Sequence, residues 1–254
     1  MKILICGFGN IGQHLKSEFE QGNEITIYDK YKTDYSDKEV LDLFYDAAFI
    51  SVPTEMKKSG EADLSEVFEI IRQVKASVII IRSTIPVGTC DKLYEMGCLN
   101  IVFCPEHYGT TQHALKNPNF AIIGGSPRNR NLAAKVFMSV KSADFRFIFT
   151  DTRTAELSKY MLNTFLALKV TFCNEFASLA QVLDVNYNQL RECFIQDDRI
   201  NPSHTFVYPD KPYYDSHCFN KDIPALIYQA RNAGIEIPIT EAMDKENKRR
   251  KRPF

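Results

Sequence analysis

The hydrophobic positions between residues 154 and 184 recur at steps of three and four, which is the period of one face of an α-helix. They form an apolar stripe made of Leu157, Met161, Phe165, Leu168, Phe172, Phe176, Leu179 and Leu183. No glycine or proline interrupts the stretch, and Thr154 stands where an N-cap is expected. The pattern predicts one long helix whose stripe is too apolar to stay wet, and hence a symmetric homodimer with paired long helices.

Lys159 and Asn163 lie on the side of this helix opposite the stripe. They are four residues apart and so share a face, which Leu162, Leu166 and Val170 flank. A helix that is apolar nearly all round is buried nearly all round, so both side chains are expected in a desolvated place. A buried lysine is costly unless it is paired or used. The helix alone leaves two interpretations open, a snorkelling lysine with a structural amide or a functional site.

Ahead of this helix, short apolar runs alternate with amphipathic stretches, as in a parallel sheet covered by helices. Strands are predicted at residues 2–6, 25–29, 47–52, 77–81, 100–103 and 120–123, and helices at 11–20 and 63–75. We predict an α/β fold with a Rossmann-type doubly wound parallel sheet in residues 1–150. An all-α domain built on the long helix follows in residues 151–244, and residues 245–254 form a basic tail.

The motif GFGNIG follows the first predicted strand, and a helix, a second strand and Asp29 come after it. This context makes the glycine pattern a dinucleotide-binding signature. Gly7 allows the tight turn, Gly9 lets backbone N–H groups approach a pyrophosphate, and Gly12 lets the helix pack on the strand. Asp29 is placed to bind the adenosine ribose hydroxyls, which predicts NAD. Lys30 and Lys32 lie close to Asp29 in the sequence, and their positive charges leave NADP as an alternative.

The predicted cofactor contacts come from the ends of four strands. They are Gly7, Phe8, Gly9, Asn10, Ile11, Gly12, Asp29, Lys30, Val52, Pro53, Thr54, Ser83 and Thr84. Ligands of open α/β sheets bind outside the carboxyl ends of the strands. Thr54, Thr84 and Glu106 each follow such an end, and although each alone could be a turn residue, their shared edge favours a site.

The composition narrows the class of protein. Hydrophobic residues make up 44% of the chain and charged residues 25%, and the net charge of -1 argues against bulk nucleic-acid binding. No apolar run approaches the ~20 residues of a membrane span. The seven cysteines form no CxxC pair, so reduced thiols in a cytoplasmic protein without a metal site are expected.

Several motifs occur in a fixed order along most of the chain. They are GFGNIG, SVPT, ADLSEV, RSTIPVGT, CPEH, ELSKYMLNTFLALKVTFCNE, DDRI and CFNKD. As an ordered set they resemble the UDP-glucose/GDP-mannose dehydrogenase family. The resemblance implies an enzyme that oxidises the CH2OH group of a nucleotide sugar to a carboxylate with two NAD+, and a dimer built on the long helix.

The resemblance also implies catalytic roles for the matched residues. Cys218 matches the nucleophile that captures an aldehyde as a thiohemiacetal, which is then oxidised to a thioester. Lys159 and Asn163 match the pair that stabilises oxyanions.

Three further residues match positions that handle water and protons in this family. Asp222 matches a carboxylate that, together with Thr84, positions a water for proton transfer. Glu106 matches the acidic residue that assists thioester hydrolysis.

The chain departs from the family pattern at three places. Thr110 and Thr111 stand where the family has a second glutamate before a glycine, which puts substrate contacts there in doubt. Asp215 and Ser216 replace two glycines ahead of the nucleophile, and Asn220 stands where proline is frequent.

Family members also carry a second doubly wound domain that binds the substrate nucleotide, and this sequence stops ahead of it. Three interpretations therefore stay open. They are a nucleotide-sugar dehydrogenase whose substrate nucleotide is held elsewhere, a dehydrogenase of a smaller alcohol or sugar phosphate, and a non-catalytic NAD-binding assembly protein.

Overall fold

The N-terminal strands form one seven-stranded sheet in the order β2-β1-β3-β4-β5-β6-β7. The structure is a computed structural model that describes residues 1–108 and 118–252. The strands are β1 (Lys2–Cys6), β2 (Glu24–Tyr28), β3 (Phe44–Ile50), β4 (Lys75–Ile81), β5 (Ile101–Phe103), β6 (Phe120–Gly124) and β7 (Arg146–Thr150). Because β2 and β3 lie on opposite sides of β1, the strand order reverses there, which creates the switch point where α/β sheets bind ligands.

The predicted Rossmann-type fold is confirmed with one difference in strand direction. Neighbouring strands pair in parallel except β5 and β6, which pair antiparallel through Phe103 and Gly124. A parallel pair needs a long crossover, usually a helix, and the sequence pattern predicts no helix between these two strands. The predicted doubly wound parallel sheet therefore contains one antiparallel pair.

The eight α-helices of the described residues follow the same chain order. They are α1 (Asn10–Phe19), α2 (Ser65–Gln73), α3 (Thr89–Glu95), α4 (Pro127–Met138), α5 (Thr152–Val182), α6 (Tyr187–Phe194), α7 (His217–Asn232) and α8 (Pro238–Arg250). Of the helices ahead of α5, α3 and α4 are absent from the sequence-based prediction. None of the helices in the described ranges is long and apolar enough to cross a membrane.

The chain divides into two units. Among the described residues, the first contains 1–55, 62–108 and 118–159, and the second contains 56–61 and 160–252. The predicted boundary at 150 falls just before α5, whereas the observed division falls within that helix, between residues 159 and 160, and the predicted boundary at 244 falls inside α8. Residues 245–250 are therefore helical instead of forming a tail.

The first unit buries apolar side chains on both faces of its sheet. Successive residues of a strand point to opposite faces, so Leu4 and Ile79 pack with α2 and α3, while Ile3 and Ile80 pack with α1 and α4. This two-sided burial explains why the central strands read as continuous apolar runs.

Helix α5 has a buried face and an exposed face. The buried face carries Tyr160, Asn163 and Ala167, whereas the apolar stripe defined above is largely exposed, up to 74% at Met161. The expectation that Asn163 is desolvated is thus confirmed, but the described chain does not bury the helix all round. Its N-cap is Asp151, whose Oδ1 accepts a hydrogen bond from the Thr154 N–H at 2.8 Å, so the prediction of Thr154 as N-cap is wrong.

The second unit packs its helices around a core of their own. Tyr214, Phe219, Ile223 and Met243 form this core with Ala167 of α5. Because these residues come from α5, the loop before α7, α7 and α8, the core connects all four segments.

Candidate active site

The glycine turn after β1 is shaped by close backbone contacts. Gly7 has φ +88°, and a Cβ added there would lie 2.5 Å from the Ser51 carbonyl oxygen. A Cβ at Gly12 would lie 2.1 Å from the Gly7 carbonyl oxygen, so both positions require glycine. A Cβ at Gly9, by contrast, would meet nothing within 4 Å. The turn therefore offers open space beside Gly9, which fits the close approach of a pyrophosphate.

Helix α1 begins at this turn and directs its free N–H groups towards the same space. Asn10 and Ile11 are its first residues, and no acidic side chain lies in its first turn. The partial positive charge of the helix N-terminus is therefore available to an anion.

Asp29 follows β2 and faces the glycine turn. Its Oδ2 accepts a hydrogen bond from the Phe8 N–H at 2.7 Å, and its Oδ1 accepts one from the Tyr31 N–H at 2.9 Å. Each carboxylate oxygen has a second lone pair, so Asp29 can still accept hydrogen bonds from a ribose diol.

A cavity of about 280 Å³ lies beside Asp29 in the first unit. Its lining includes Gly7, Gly9, Asp29, Lys30, Lys32, Ser51, Val52, Pro53, Glu66 and Glu69. The glycines, the helix N-terminus and Asp29 fit the pyrophosphate and adenosine ribose of a dinucleotide.

The two lysines near Asp29 are engaged by neighbouring groups. Lys30 lies 3.2 Å from a carboxylate oxygen of Glu66 and 3.7 Å from one of Glu69. The Lys32 ammonium donates to the Phe8 carbonyl at 2.6 Å. The two carboxylates offset the positive charge of Lys30, and the Phe8 carbonyl occupies one donor of Lys32. Both contacts disfavour a 2′-phosphate and so favour NAD over NADP.

The ends of β3 and β4 are joined by hydroxyl groups. Ser83 Oγ donates to the Val52 carbonyl at 2.7 Å, and Thr54 Oγ1 donates to the Thr84 carbonyl at 2.9 Å. Pro53 lies between the two bonded positions on β3. The two loops predicted to contact the cofactor are thus held together at one sheet edge.

Glu106 follows β5 and is buried at 4% exposure. The Arg82 guanidinium pairs with its Oε2, while Oε1 accepts from the N–H groups of His107 at 2.8 Å and Tyr108 at 2.6 Å. Burial alone would raise the pKa of Glu106, but the Arg82 charge and the Tyr108 N–H together lower it to about 2. The carboxylate is therefore ionised and can accept a proton.

Lys159 meets this cluster from α5. Its Nζ donates to the Glu106 carbonyl oxygen. Burial, followed by the positive charges of Lys159 and Arg82, lowers the pKa of the neighbouring His107 to about 3. A neutral histidine and a lysine bound to the backbone thus accompany the ionised Glu106.

In the second unit, a polar cluster joins α5 to α7. Asn163 Nδ2 donates to Asp222 Oδ2 at 2.6 Å, and Lys221 Nζ donates to Asp222 Oδ1 at 2.7 Å. Asn163 and Asp222 are both buried. Burying a carboxylate without partners is costly, and here an amide and an ammonium satisfy it.

Cys218 is the second residue of α7, and its side chain is exposed. Ser216 caps the helix, because its Oγ accepts a hydrogen bond from the Phe219 N–H at 3.2 Å. Asp222 lies one turn further along the same helix. The structure thus places an exposed thiol at the N-terminus of α7.

The structure brings several predicted residues together within each unit. Lys159 contacts Glu106 in the first unit, and Asn163 contacts Asp222 in the second. The water shared by Thr84 and Asp222 stays a prediction. Thr110 and Thr111 lie outside the described residues.

Sequence reasoning missed two buried charged residues. Arg82 holds Glu106, and Glu156 accepts hydrogen bonds from the Gly88 N–H at 2.7 Å and the Cys90 N–H at 2.9 Å, which tie the loop before α3 to α5. Each residue had a signal in the sequence. Arg82 directly follows the apolar run SVIII, and Glu156 is a charge among the apolar residues of α5. In the ranges 1–108 and 118–252, no group of three or more His, Cys, Asp or Glu side chains could hold a metal ion.

Two family descriptions match the chain. The NAD binding domain of the UDP-glucose/GDP-mannose dehydrogenase family matches residues 30–141, and the central domain of that family matches residues 153–249. Together they cover more than three quarters of the chain. The first match confirms NAD as the cofactor predicted from the glycine turn and Asp29.

Individual relatives agree with these matches. The UDP-glucose 6-dehydrogenase of Rickettsia bellii is 34% identical over 247 residues, which are 89% of this chain and 56% of that protein. This chain spans about half the length of the curated relatives it matches.

Two solved structures share the fold. A UDP-glucose dehydrogenase from Pyrobaculum islandicum superposes with a TM-score of 0.82 at 24% identity, over 98% of this chain and 68% of that one. A UDP-D-ManNAc dehydrogenase from Pyrococcus horikoshii superposes with a TM-score of 0.80 at 26% identity, over 98% and 69%.

Proposed function

The chain belongs to the UDP-glucose/GDP-mannose dehydrogenase family, and from this premise we propose that it is an NAD-dependent nucleotide-sugar dehydrogenase. Its reaction is the oxidation of the sugar CH2OH group of UDP-glucose, or of a similar nucleotide sugar, to a carboxylate. The observation that carries the proposal is the buried pair of Asn163 and Asp222 on the two helices that also carry Lys159 and Cys218. A fold gains little from burying such a pair in place of apolar side chains, so a chemical role accounts for it better.

Bound NAD+ supplies the hydride acceptor for each of the two oxidations. The glycine turn and the N-terminus of α1 hold its pyrophosphate, and Asp29 accepts hydrogen bonds from its adenosine ribose. Val52, Pro53 and Thr54 line the neighbouring strand end, together with Ser83.

Cys218 gives the second half of the reaction its covalent intermediate. The thiol adds to the carbon of the aldehyde, and the aldehyde oxygen takes up a proton to complete a thiohemiacetal. Loss of a hydride from that carbon and of a proton from its hydroxyl group leaves a thioester. Water then adds to the thioester, the C–S bond breaks, and the acid leaves while the thiol is restored. Covalent capture retains a reactive aldehyde between the two oxidations.

The remaining polar residues stabilise charge and move protons. Lys159 and Asn163 donate hydrogen bonds to the oxyanions that form during addition to the carbonyl carbon. Asp222 and Thr84 position a water for proton transfer. Glu106 is ionised, so in thioester hydrolysis it can accept a proton from water, and this is the role we assign to it.

The test is NADH formation with a panel of nucleotide sugars, namely UDP-glucose, UDP-N-acetylmannosamine and GDP-mannose. Glucose 1-phosphate and simple hydroxy acids are the controls. We expect turnover with one nucleotide sugar and two NADH for each acid formed. Turnover with the controls alone, or no turnover by protein that binds NAD+, would overturn the proposal.

We also propose that the chain forms a homodimer through the apolar stripe of α5. Met161 and Phe165 are among its most exposed side chains, and exposed apolar patches of this kind mark association sites. Light scattering at micromolar concentration should give a dimer. The double variant Met161→Glu/Phe165→Glu should give a monomer, while Ile239→Glu, a matched change at an exposed position of α8, should leave the dimer intact. A monomeric wild-type chain contradicts the proposal.

A further inference from the structure

We propose that helix α8 is a positioning element for Cys218, acting through Asn247 and Lys251 on the anchor segment, residues 214–216. This inference rests on the proposed role of Cys218. All the contacts that carry it lie within the second unit.

The first contact is a pair of hydrogen bonds made by one buried side chain. Asn247 is 3% exposed, its Oδ1 accepts from the Tyr214 N–H at 2.8 Å, and its Nδ2 donates to the Tyr214 carbonyl at 3.1 Å. A single amide thus satisfies both backbone groups of one loop residue, as a neighbouring strand would. An amide side chain supplies both the donor and the acceptor that this pairing needs.

The second contact is the packing of the Tyr214 ring. The ring meets Phe219 of α7 edge-on, with the ring centroids 5.9 Å apart, and belongs to the same core as Met243 of α8. Because its backbone is bonded to Asn247 and its ring is buried, Tyr214 has little freedom to move relative to α7 and α8.

The third contact is an ion cluster at Asp215. Its Oδ1 accepts from Asn220 Nδ2 at 2.9 Å and from the Lys251 ammonium, and Lys211 lies 3.2 Å from its Oδ2. Lys251 is the first residue after α8 and Asn220 belongs to α7, so one carboxylate joins the two helices. The hydrogen bond from Lys251, followed by that from Asn220, lowers the pKa of Asp215 to about 2.

These contacts lead directly to the thiol. Ser216, the next residue, caps α7, and Cys218 follows two residues later. Asp215 and Ser216 stand where the family pattern has two glycines, and Asn220 stands where it often has proline. In this chain the departures are not independent, because Asn220 donates a hydrogen bond to Asp215. Lys251 donates another to the same carboxylate oxygen. Side-chain anchors from α8 therefore take over what a glycine-rich approach does by backbone geometry.

The anchors also affect charge near the thiol. Asp215 precedes Cys218 by three residues, and Lys251 and Lys211 offset the charge of its carboxylate. Without Lys251 the carboxylate is less well held and its charge is less well offset, so the reaction of Cys218 with an alkylating reagent should slow. Asp215→Asn removes that charge, keeps an oxygen that can accept from Asn220, and should restore the rate.

The experiment measures the rate at which iodoacetamide alkylates Cys218, read by peptide mass spectrometry in the full chain. Cys193 is exposed and serves as an internal standard, while the buried Cys173 reports unfolding. The variants are Asn247→Ala, Lys251→Met, Lys251→Arg and Lys251→Met/Asp215→Asn. Lys248→Met is the matched control, because Lys248 lies on the same helix and pairs with Asp244 at 2.6 Å instead of with Asp215.

We expect Cys218 alkylation to fall about tenfold in Asn247→Ala, which loses two buried hydrogen bonds, and about threefold in Lys251→Met, which loses one screened charge. Lys251→Arg, the double variant and Lys248→Met should stay within about twofold of wild type. If Lys251 had only a structural role, adding Asp215→Asn to Lys251→Met would not restore the alkylation rate of Cys218. If Asn247→Ala makes Cys173 reactive, that variant has unfolded, and the variants at Lys251 then test the proposal.

Two outcomes overturn the inference, and both are separate from the proposed function. One is unchanged Cys218 alkylation in folded Asn247→Ala and Lys251→Met. The other is an equal change at Cys193 and Cys218, which would indicate general loosening. Because alkylation needs no sugar substrate, failure of the dehydrogenase assay leaves this test intact. Conversely, acid formation that depends on Cys218 can coexist with a negative alkylation result.

Discussion

The GFGNIG turn and the anchor segment ahead of Cys218 are both short connections into a helix, but they are held in different ways. The turn is shaped by its immediate neighbours in the sheet, since Gly7 lies against Ser51 and Gly12 against Gly7 itself. The anchor segment is held by Asn247 and Lys251, which lie more than thirty residues away in sequence. The first arrangement tolerates almost no change at its glycines. The second tolerates substitution wherever a distant partner changes with it.

This difference explains where the chain follows its family and where it departs. Backbone contacts closer than a methyl group allow only glycine, so the turn keeps its pattern. The anchor segment carries Asp215 and Ser216 in place of glycines, because side chains from α7 and α8 can satisfy them. A motif fixed by the backbone is thus readable in the sequence, whereas one fixed by distant side chains is not.

The largest expected effect concerns the thiol that the anchor segment presents. Cys218→Ala should lower acid formation by at least ~10³-fold, since a residue that forms a covalent intermediate has no substitute. Cys218→Ser should also block acid release, because an oxygen ester is a poor replacement for a thioester. The first hydride transfer needs no nucleophile and should persist in both variants. Product analysis with the best substrate measures this, and Cys193→Ala is the matched control. Equal acid formation by wild type and Cys218→Ala would exclude the covalent mechanism.

The glycine turn offers the next largest effect and a direct contrast between two neighbouring positions. Gly12→Ala should destabilise the protein by at least ~3 kcal/mol, because the new methyl group meets a backbone oxygen that cannot move aside. Gly9→Ala should leave the melting temperature nearly unchanged, since its Cβ meets nothing within 4 Å, but should weaken NAD+ binding. Thermal unfolding and NAD+ titration separate the two. A stable Gly12→Ala variant, or a Gly9→Ala variant with undiminished NAD+ affinity, would contradict this account of the turn.

The same contrast accounts for how much of the molecule the sequence predicts. Strand periods, the glycine turn and the long α5 depend on neighbouring residues, and all were predicted. Arg82 was not predicted, because its role is to pair with Glu106, which follows a different strand. Asn247 and Lys251 look like part of a basic, solvated stretch in the sequence. Only the packing of α8 against Tyr214 reveals that they hold the approach to Cys218.

The exposed stripe of α5 shows a further limit of what the sequence predicts. Its period was readable, and a helix with that stripe was found. Its burial was predicted in a dimer, and in the described chain by itself the stripe is the exposed face while the polar Asn163 lies on the buried one. Hydrophobic pattern predicts which residues share a face, but not which face meets the chain's own core.

The pH dependence of stability tests the cluster at Glu106. The folded-state pKa of about 2 lies below the ordinary value of 4.5, so ionised Glu106 stabilises the fold fully above pH ~4.5 and this contribution is lost as the pH falls towards ~2. It amounts to on the order of 3 kcal/mol. Urea unfolding between pH ~6 and ~3 should give a steeper loss of stability for wild type than for Glu106→Gln. Parallel curves for the two proteins would show that Glu106 is not held ionised by Arg82.

The smallest expected effect is cofactor preference, and it tests whether the turn acts alone or with its surroundings. NAD+ should bind at least tenfold tighter than NADP+, a difference of ~1.4 kcal/mol. Asp29 repels a 2′-phosphate, and the two lysines beside it are already engaged, Lys30 by Glu66 and Glu69 and Lys32 by the Phe8 carbonyl. If Glu66 and Glu69 contribute to selectivity, Glu66→Gln/Glu69→Gln should release Lys30. The ratio of NAD+ to NADP+ affinity should then fall about threefold or more. Glu61→Gln is the matched control, because its partner Lys57 lies outside the cavity lining. Titration of both cofactors measures the preference. Equal affinities in wild type would refute the role of Asp29, and an unchanged ratio in the double variant would confine selectivity to Asp29 alone.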